Sequence, residues 1–362
     1  MHDPEYPAIP IDARRGRGAA SNVSGRFEVE SRQPIDDGWH SLADATPALT
    51  EVQIEAARTI ITTNQSPDIS FDQSINAYRG CEHGCIYCYA RPTHCYLGHS
   101  AGLDFETRLY AKANARDRLE AELAEPGYRA STIALGTNTD PYQPIERRYE
   151  ITRQILEVLR KTRHPVGIVT KSALVTRDID ILGEMARQGL AKVALSITTL
   201  DRHLARRMEP RAATPERRLE ALRQVSAAGI PTAVMVAPIV PSLTDSELEG
   251  ILEAARDAGA SEAGYVLLRL PLEIKDLFGE WLAEHAPDRA RRVMAILREM
   301  REGKDYDSRW HVRQKGTGPY AQLIARRFQL ALKRLGLNQR REHLRTDLFE
   351  PPVLPGQQMR LL

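Results

Sequence analysis

The sequence predicts an α/β protein built on a parallel sheet. Between residues 74 and 270, six short apolar runs alternate with longer stretches whose apolar residues recur at helical spacing. Glycines and prolines punctuate the transitions. Strands separated by helices pair in parallel through right-handed crossovers. A doubly wound sheet and a barrel both satisfy that alternation.

Taken in order, residues 1–45 are rich in Arg, Gly, Ser, Asp and Pro and lack apolar periodicity, which predicts a disordered leader. Its Arg14-Arg15-Gly16-Arg17-Gly18 run could also grip phosphate. The core is placed at 46–270. Its first strand is Ser74–Arg79, running into a cysteine loop, and a helix-prone stretch follows near Lys112–Leu123. Thr132–Leu135 is a strand ended by Gly136. The helix Ile151–Lys161 sets Ile151, Ile155, Val158 and Leu159 on one face. Val166–Thr170 is the next strand, and Gly189 closes the helix Asp178–Arg187. After the strand Ala191–Ile197, Thr214-Pro215 supplies an N-cap and a first-turn proline. Gly229 ends that helix, and Pro231–Val236 is a strand. Thr244-Asp245-Ser246-Glu247 reads as a capping box for a helix ending at Gly259, before the last strand, Ala263–Leu268.

Residues 271–345 read as a helical C-terminal extension, with helices Ile274–Glu284, Ala290–Arg301 and Tyr320–Leu335 and a turn at Gly316–Pro319. From Gln322 to Arg345 seven basic residues face one acid, Glu342, which suits a solvated helix face or a phosphate-contacting surface. Residues 346–362 form the tail.

Composition narrows the function classes. Of 362 residues, 42% are hydrophobic and 27% charged, as in an ordinary globular protein. The net charge of +2 makes any nucleic-acid surface a local patch. No apolar signal segment and no membrane-length apolar run is visible. Four cysteines, three of them clustered, argue against a disulfide scaffold and for a reducing, cytoplasmic setting.

Those three cysteines are spaced Cys81-x3-Cys85-x2-Cys88. Thiolates this close can converge on one inorganic centre. On a [4Fe–4S] cluster they would leave one iron open to a small molecule. The spacing differs from the common zinc patterns, but a zinc site completed by His83, His94, Cys95 or His99 is the alternative. Cys95 suits a plain buried thiol or a redox bystander.

The segment Arg79–Arg91, with Tyr87 just before the last cysteine, resembles the signature of the radical S-adenosylmethionine (radical SAM) superfamily. The flanks Tyr78-Arg79-Gly80 and Tyr89-Ala90-Arg91 resemble the branch related to spore photoproduct lyase, a DNA-repair enzyme. The resemblance implies a partial (β/α)6 TIM-like barrel with its active site at the C-terminal strand ends. It implies a [4Fe–4S] cluster on Cys81, Cys85 and Cys88, S-adenosylmethionine at the open iron, and a flavodoxin- or ferredoxin-like reductant. It also implies reductive cleavage to a 5′-deoxyadenosyl radical that abstracts hydrogen from substrate.

The same resemblance assigns roles to strand-end residues. Tyr87 would pack near the cluster and the adenine. Members of the superfamily often hold the methionine amino group with a Gly-Gly-Glu motif. This chain lacks that motif, leaving Gly136, Thr137, Asn138 and Asp140 to substitute. Lys171 suits the methionine carboxylate, Ser196 the ribose or carboxylate, and Arg206 or Arg207 the carboxylate in bidentate fashion. Pro238 and Leu267 would flank the adenine. The extra cysteine that spore photoproduct lyase uses after its second strand is absent from Gly136–Pro144, which counts against photoproduct repair. The expected substrate is a nucleic acid or its component; a protein or small metabolite, or a non-enzymatic metal module, are the alternatives. Arg345-Thr346-Asp347-Leu348-Phe349 looks like a degenerate sliding-clamp peptide.

Overall fold

A computed structural model describes residues 16–28 and 48–353. The strands are β1 (Glu51–Glu55), β2 (Ile61–Thr63), β3 (Gln73–Ile75), β4 (Tyr78–Arg79), β5 (Arg108–Lys112), β6 (Ile133–Leu135), β7 (Val166–Thr170), β8 (Ala191–Ser196), β9 (Thr232–Ile239) and β10 (Glu262–Leu267). The helices are α1 (Asp104–Thr107), α2 (Ala115–Leu123), α3 (Glu146–Tyr149), α4 (Ile151–Lys161), α5 (Ile179–Arg187), α6 (Arg202–Met208), α7 (Pro215–Ala227), α8 (Leu248–Asp257), α9 (Ile274–His285), α10 (Pro287–Glu299) and α11 (Gly318–Leu335).

The main sheet runs β10-β9-β8-β7-β6-β3-β2, parallel except for β2, which is antiparallel to β3. Six parallel strands with helical crossovers make the expected partial (β/α)6 barrel. Residues such as Ile133, Val166, Ile168, Val193, Leu195 and Val234 are buried, because helices cover one sheet face and the barrel core the other. The α4 face predicted from periodicity is the buried one: Ile151, Ile155, Val158 and Leu159 are each at most 2% exposed.

The sheet is open between β10 and β2. The segment after α10 fills that side. Leu267 N of β10 donates to Gln314 O at 2.8 Å, while Asp68, before β3, accepts from His311 N at 2.6 Å and pairs with Arg313 at 2.5 Å.

Several expectations are corrected. The first predicted strand divides in two. β3 pairs with β6 in the barrel, whereas β4 pairs with β5 in a separate sheet, β1-β5-β4, and it is β4 that leads into the cysteine loop. Lys112 ends a strand rather than opening a helix. The capping box does not form. Thr244 Oγ1 instead accepts from Val240 N at 2.9 Å, and Glu247 reaches back to Thr199 Oγ1 and Leu200 N, both at 2.6 Å.

Residues 16–28, expected in a disordered leader, pack against the core. Gly18 N and Ala19 N donate to the buried Glu106 carboxylate at 2.8 and 2.9 Å, and the Arg17 guanidinium donates to Glu106 O and Ala48 O. Gly18 is required by close approach, since a Cβ there would lie 1.9 Å from Gly84 O. The rest of the expected leader lies outside the described residues, as does the end of the tail.

The C-terminal chain straps the N-terminal ends of the barrel strands. Asn338 exchanges side-chain hydrogen bonds with Ala263 N and O at 2.8 and 2.9 Å, at the start of β10. Arg345 N donates to Gly189 O, before β8, and Glu350 N to Thr162 O, before β7, each at 2.9 Å. The Phe349 ring packs edgewise on Tyr128 and His164, with centroids 5.4 and 5.3 Å away. The clamp-like peptide is therefore folded onto the body. Among the basic residues of α11, Arg327 grips Glu249 and Arg334 pairs with Glu253 at 2.6 Å, so part of that stretch serves packing on α8. Among the described residues no helix is long and apolar enough to cross a membrane.

Candidate active site

The cysteine loop is fixed by its own main chain. Cys81 N donates to Phe105 O at 2.9 Å, and the fully buried Gln143 brackets the loop, accepting from Glu82 N at 2.9 Å and donating to Gly80 O at 3.1 Å. Arg91, fully buried, pairs with Glu106 at 2.6 Å and donates to Cys85 O at 2.9 Å and Gly84 O at 3.1 Å. A buried ion is tolerated when its charge and donors are all met. On the other flank Ile86 N donates to Met208 O at 3.0 Å and Arg211 N to His83 O at 3.2 Å. Gly80 and Gly84 take φ of 71° and 66°, the left-handed turns this winding needs.

The Cys81 and Cys85 thiols are buried and Cys88 half-buried. Burial pushes Cys81 well up, with the Asp140, Cys85 and Cys88 charges adding to it; the Asp140 N–H donates to its sulfur and opposes the rise. Cys85 is pushed up to about 12 by burial and by Glu209, against the pull of Lys171. The Cys81 and Cys85 sulfurs thus lie away from water, with Cys88 at the edge of the loop. Among the described residues no three His, Cys, Asp or Glu side chains gather tightly enough for a single metal ion. A cluster would spread its thiolates over separate iron corners, an arrangement that three cysteines at this spacing allow.

Of the alternative zinc ligands, His83, His99 and Cys95 have polar partners of their own, while both ring nitrogens of the buried His94 lack a hydrogen-bond partner among the described residues. His83 Nδ1 lies 3.4 Å from Asp140. His94 packs among His99, Phe105 and Tyr110. His99 Nε2 is 2.6 Å from the Tyr110 hydroxyl, and the buried Cys95 sulfur faces Glu273 at 3.7 Å.

Tyr87 anchors the loop to β8. Its hydroxyl donates to Glu209 and lies 3.2 Å from Thr198 Oγ1, while Thr198 donates to Glu209 at 2.6 Å. Arg218 pairs with the other Glu209 oxygen and donates to Ser196 O at 2.9 Å. Lys171 sits over the Tyr87 ring, 5.8 Å from its centroid. Glu209 and Arg218 escaped sequence reasoning. Glu209 sits beside Arg206-Arg207, yet those two arginines point to solvent and the glutamate goes in.

The remaining expected residues divide. Gly136 has φ of 91° and abuts Val169 O; the loop behind it is set by Asn76 Oδ1, which accepts from Asn138 N at 3.0 Å and Thr139 N at 3.3 Å. Thr137 Oγ1 is 3.3 Å from the Asn76 side chain, and its carbonyl accepts from the Tyr89 hydroxyl. The Asn138 side chain is exposed. Asp140 is not a free acceptor. It takes Thr170 Oγ1 at 2.6 Å, Lys171 N at 2.7 Å and Tyr142 N at 2.9 Å. Burial pushes its carboxyl up, but His83 and these donors hold it at about 2. Ser196, Pro238 and Leu267 are buried at the ends of β8, β9 and β10. Arg269, just past β10, lies 3.9 Å over the Tyr89 ring and links the open edge of the barrel to the cysteine loop.

Comparison with known proteins agrees with this geometry. The family described as the Radical SAM superfamily matches residues 75–255. The chain is similar to an uncharacterized protein of Mycobacterium tuberculosis, 40% identical over 232 residues, which are 64% of this chain and 68% of that one. An uncharacterized protein of Methanocaldococcus jannaschii is 31% identical over 173 residues, 48% of this chain and 62% of that one. In fold the chain is similar to spore photoproduct lyase complexed with dinucleoside spore photoproduct, with TM-score 0.59, 17% identity and 84% of each chain covered.

Proposed function

The chain belongs to the radical SAM superfamily of enzymes, and from that premise we propose that Cys81, Cys85 and Cys88 hold a [4Fe–4S] cluster at which S-adenosylmethionine binds. The observation that carries this is the three-cysteine loop, with Cys81 and Cys85 buried, fastened through Tyr87 to the end of β8 with Lys171 over the Tyr87 ring. When bound, the pair supplies a 5′-deoxyadenosyl radical that abstracts hydrogen from substrate. Family membership sets aside a non-enzymatic metal module.

This chain's residues position and protect. The Lys171 ammonium would take the methionine carboxylate. Asn138 would take the amino group, with Asp140 holding the Lys171 main chain rather than touching the ligand. Ser196, Pro238 and Leu267 would border the ribose and adenine. Tyr87 and the Glu209–Arg218 pair seal the loop against water.

For substrate we propose a nucleic acid or its component. A relative in fold is solved with a dinucleoside lesion, and a duplex base would have to be flipped out to reach the radical. Gly136–Pro144 holds no cysteine, so lesion repair through a cysteine there is not proposed. One observation favours a protein or small-metabolite substrate instead: Arg327 and Arg334, from the basic stretch, are spent on α8.

The test is anaerobic reconstitution with iron and sulfide, then dithionite and S-adenosylmethionine, with assay of 5′-deoxyadenosine beside Cys85→Ala. Product from the natural chain alone supports the reading. Bound zinc and no product overturns it. Deuterium transfer from labelled oligonucleotides into the product then tests the substrate class.

A further inference from the structure

A second surface lies directly outside the cysteine loop. The segment 208–211 is laid on 83–86. Besides the two main-chain hydrogen bonds already described, Pro210 Cγ would lie 3.2 Å from a Cβ at Gly84. Over this layer opens a cleft of about 580 Å³ lined by Gly16, Pro144, Arg206, Pro210, Arg211 and Ala212. Pro210 and Arg211, which line it, belong to the layer that is hydrogen-bonded to the segment carrying Cys85.

The surroundings are basic. Arg202, Arg206, Arg207, Arg211 and Arg217 are all exposed. Against them stand the exposed Asp201 and Glu216, while Glu209 is buried. Arg211 is paired with Glu82, but among the described residues Arg206 and Arg207 face no carboxylate within 4.0 Å. The molecule as a whole carries only +2, so this is a local concentration of charge.

We propose that this face docks an acidic electron-transfer protein of the flavodoxin class. The inference rests on the cluster reading above. Electron transfer weakens steeply with distance, so a donor must sit where the cover over the thiols is thin. Complementary charge steers such transient partners and sets their on-rate. The flavin hydroquinone gives one electron and the oxidised cluster gains it. No bond forms.

The test compares the natural chain with Arg206→Glu/Arg207→Glu and the milder Arg206→Gln/Arg207→Gln. Affinity for a bacterial flavodoxin is read by fluorescence anisotropy at low and high salt. Single- and double-stranded oligonucleotides are measured in parallel. Turnover is compared with flavodoxin and with dithionite. The proposal expects flavodoxin affinity and flavodoxin-supported turnover to fall at least about tenfold at low salt, with less effect at high salt. Dithionite-supported turnover and oligonucleotide affinity should stay within about twofold. Flavodoxin affinity that survives charge reversal overturns it. So does oligonucleotide affinity that falls alongside, which would make the face a nucleic-acid surface. Failure of the cluster reading is separate, because the natural chain would then make no 5′-deoxyadenosine even with dithionite.

Discussion

Tyr87 donates a hydrogen bond to Glu209, a residue 122 positions further along the chain. The contact fastens the cysteine loop to the barrel wall, because Arg218 holds the same carboxylate and reaches on to Ser196 O and Ala213 O. A phenol, a hydroxyl and an ion pair thus share one dry site beside Cys85.

Breaking that site should cost far more than a surface pair. Glu209→Gln leaves the Arg218 charge buried without its partner, and a loss of about 3–5 kcal/mol is expected. Urea unfolding of the protein checks it. Glu209→Gln combined with Arg218→Met should recover part of the loss, since both buried charges are then gone.

The same carboxylates set an acid limit. Burial pushes Glu209 up, but Arg218 and Lys171 hold it at about 2, and Asp140 also lies at about 2. Both folded values are depressed below those of the unfolded chain. Their stabilisation is therefore complete above roughly pH 4.5 and lost as pH falls toward 2. The urea midpoint should decline over that window, and less steeply in Asp140→Asn.

Lys171→Met tests the carboxylate contact. Losing one charged hydrogen bond should weaken S-adenosylmethionine binding by about ten- to a hundredfold. Equilibrium dialysis on the reconstituted protein measures this. An unchanged affinity would remove Lys171 from the binding site.

Gly136→Ala should strain the β6 exit. The residue has φ of 91°, and an added Cβ would lie 1.9 Å from Val169 O. A loss of about 2 kcal/mol or more is expected. Gly18→Ala meets Gly84 O at the same 1.9 Å. Its effect should be local, releasing residues 16–28 to protease with a global midpoint little changed.

Acid should also loosen the tail. Burial holds His164 at about 4, opposed only by the Pro165 carbonyl, and Tyr128 and Phe349 cover its ring. Because the folded value is lowered, this contribution is present above about pH 6.5 and lost as pH falls toward 4. The exchange protection factors of residues 338–350, each taken against the intrinsic rate at the same pH, should fall at pH 5, and Phe349→Ala should reproduce that fall at pH 7.5.

The barrel was legible because its strands are buried on both faces and read as unbroken apolar runs, such as Val166–Thr170, with helix periodicity between them. The cysteine spacing was legible because it is local. What escaped depends on distant partners. Residues 16–28 have no apolar pattern, and their anchor is a carboxylate 87 and 88 positions away. Asp140 reads as a ligand acceptor until the Thr170 and Lys171 donors are placed beside it. Thr244 and Glu247 carry a local capping signal that longer-range bonds to Val240 and Thr199 override.

The strap from Asn338 to Glu350 bears on how the chain is made. Domains are synthesised from the N-terminus, and the ribosome holds back the most recent residues. All six barrel strands emerge before the segment that closes their lower ends. The nascent barrel therefore spends its first moments with Tyr128 and His164 uncovered, until the strap has emerged as well. A chain cut before Asn338 would keep every strand and every thiol, yet stay in that unfinished state and offer its apolar floor to chaperones or to other copies of itself.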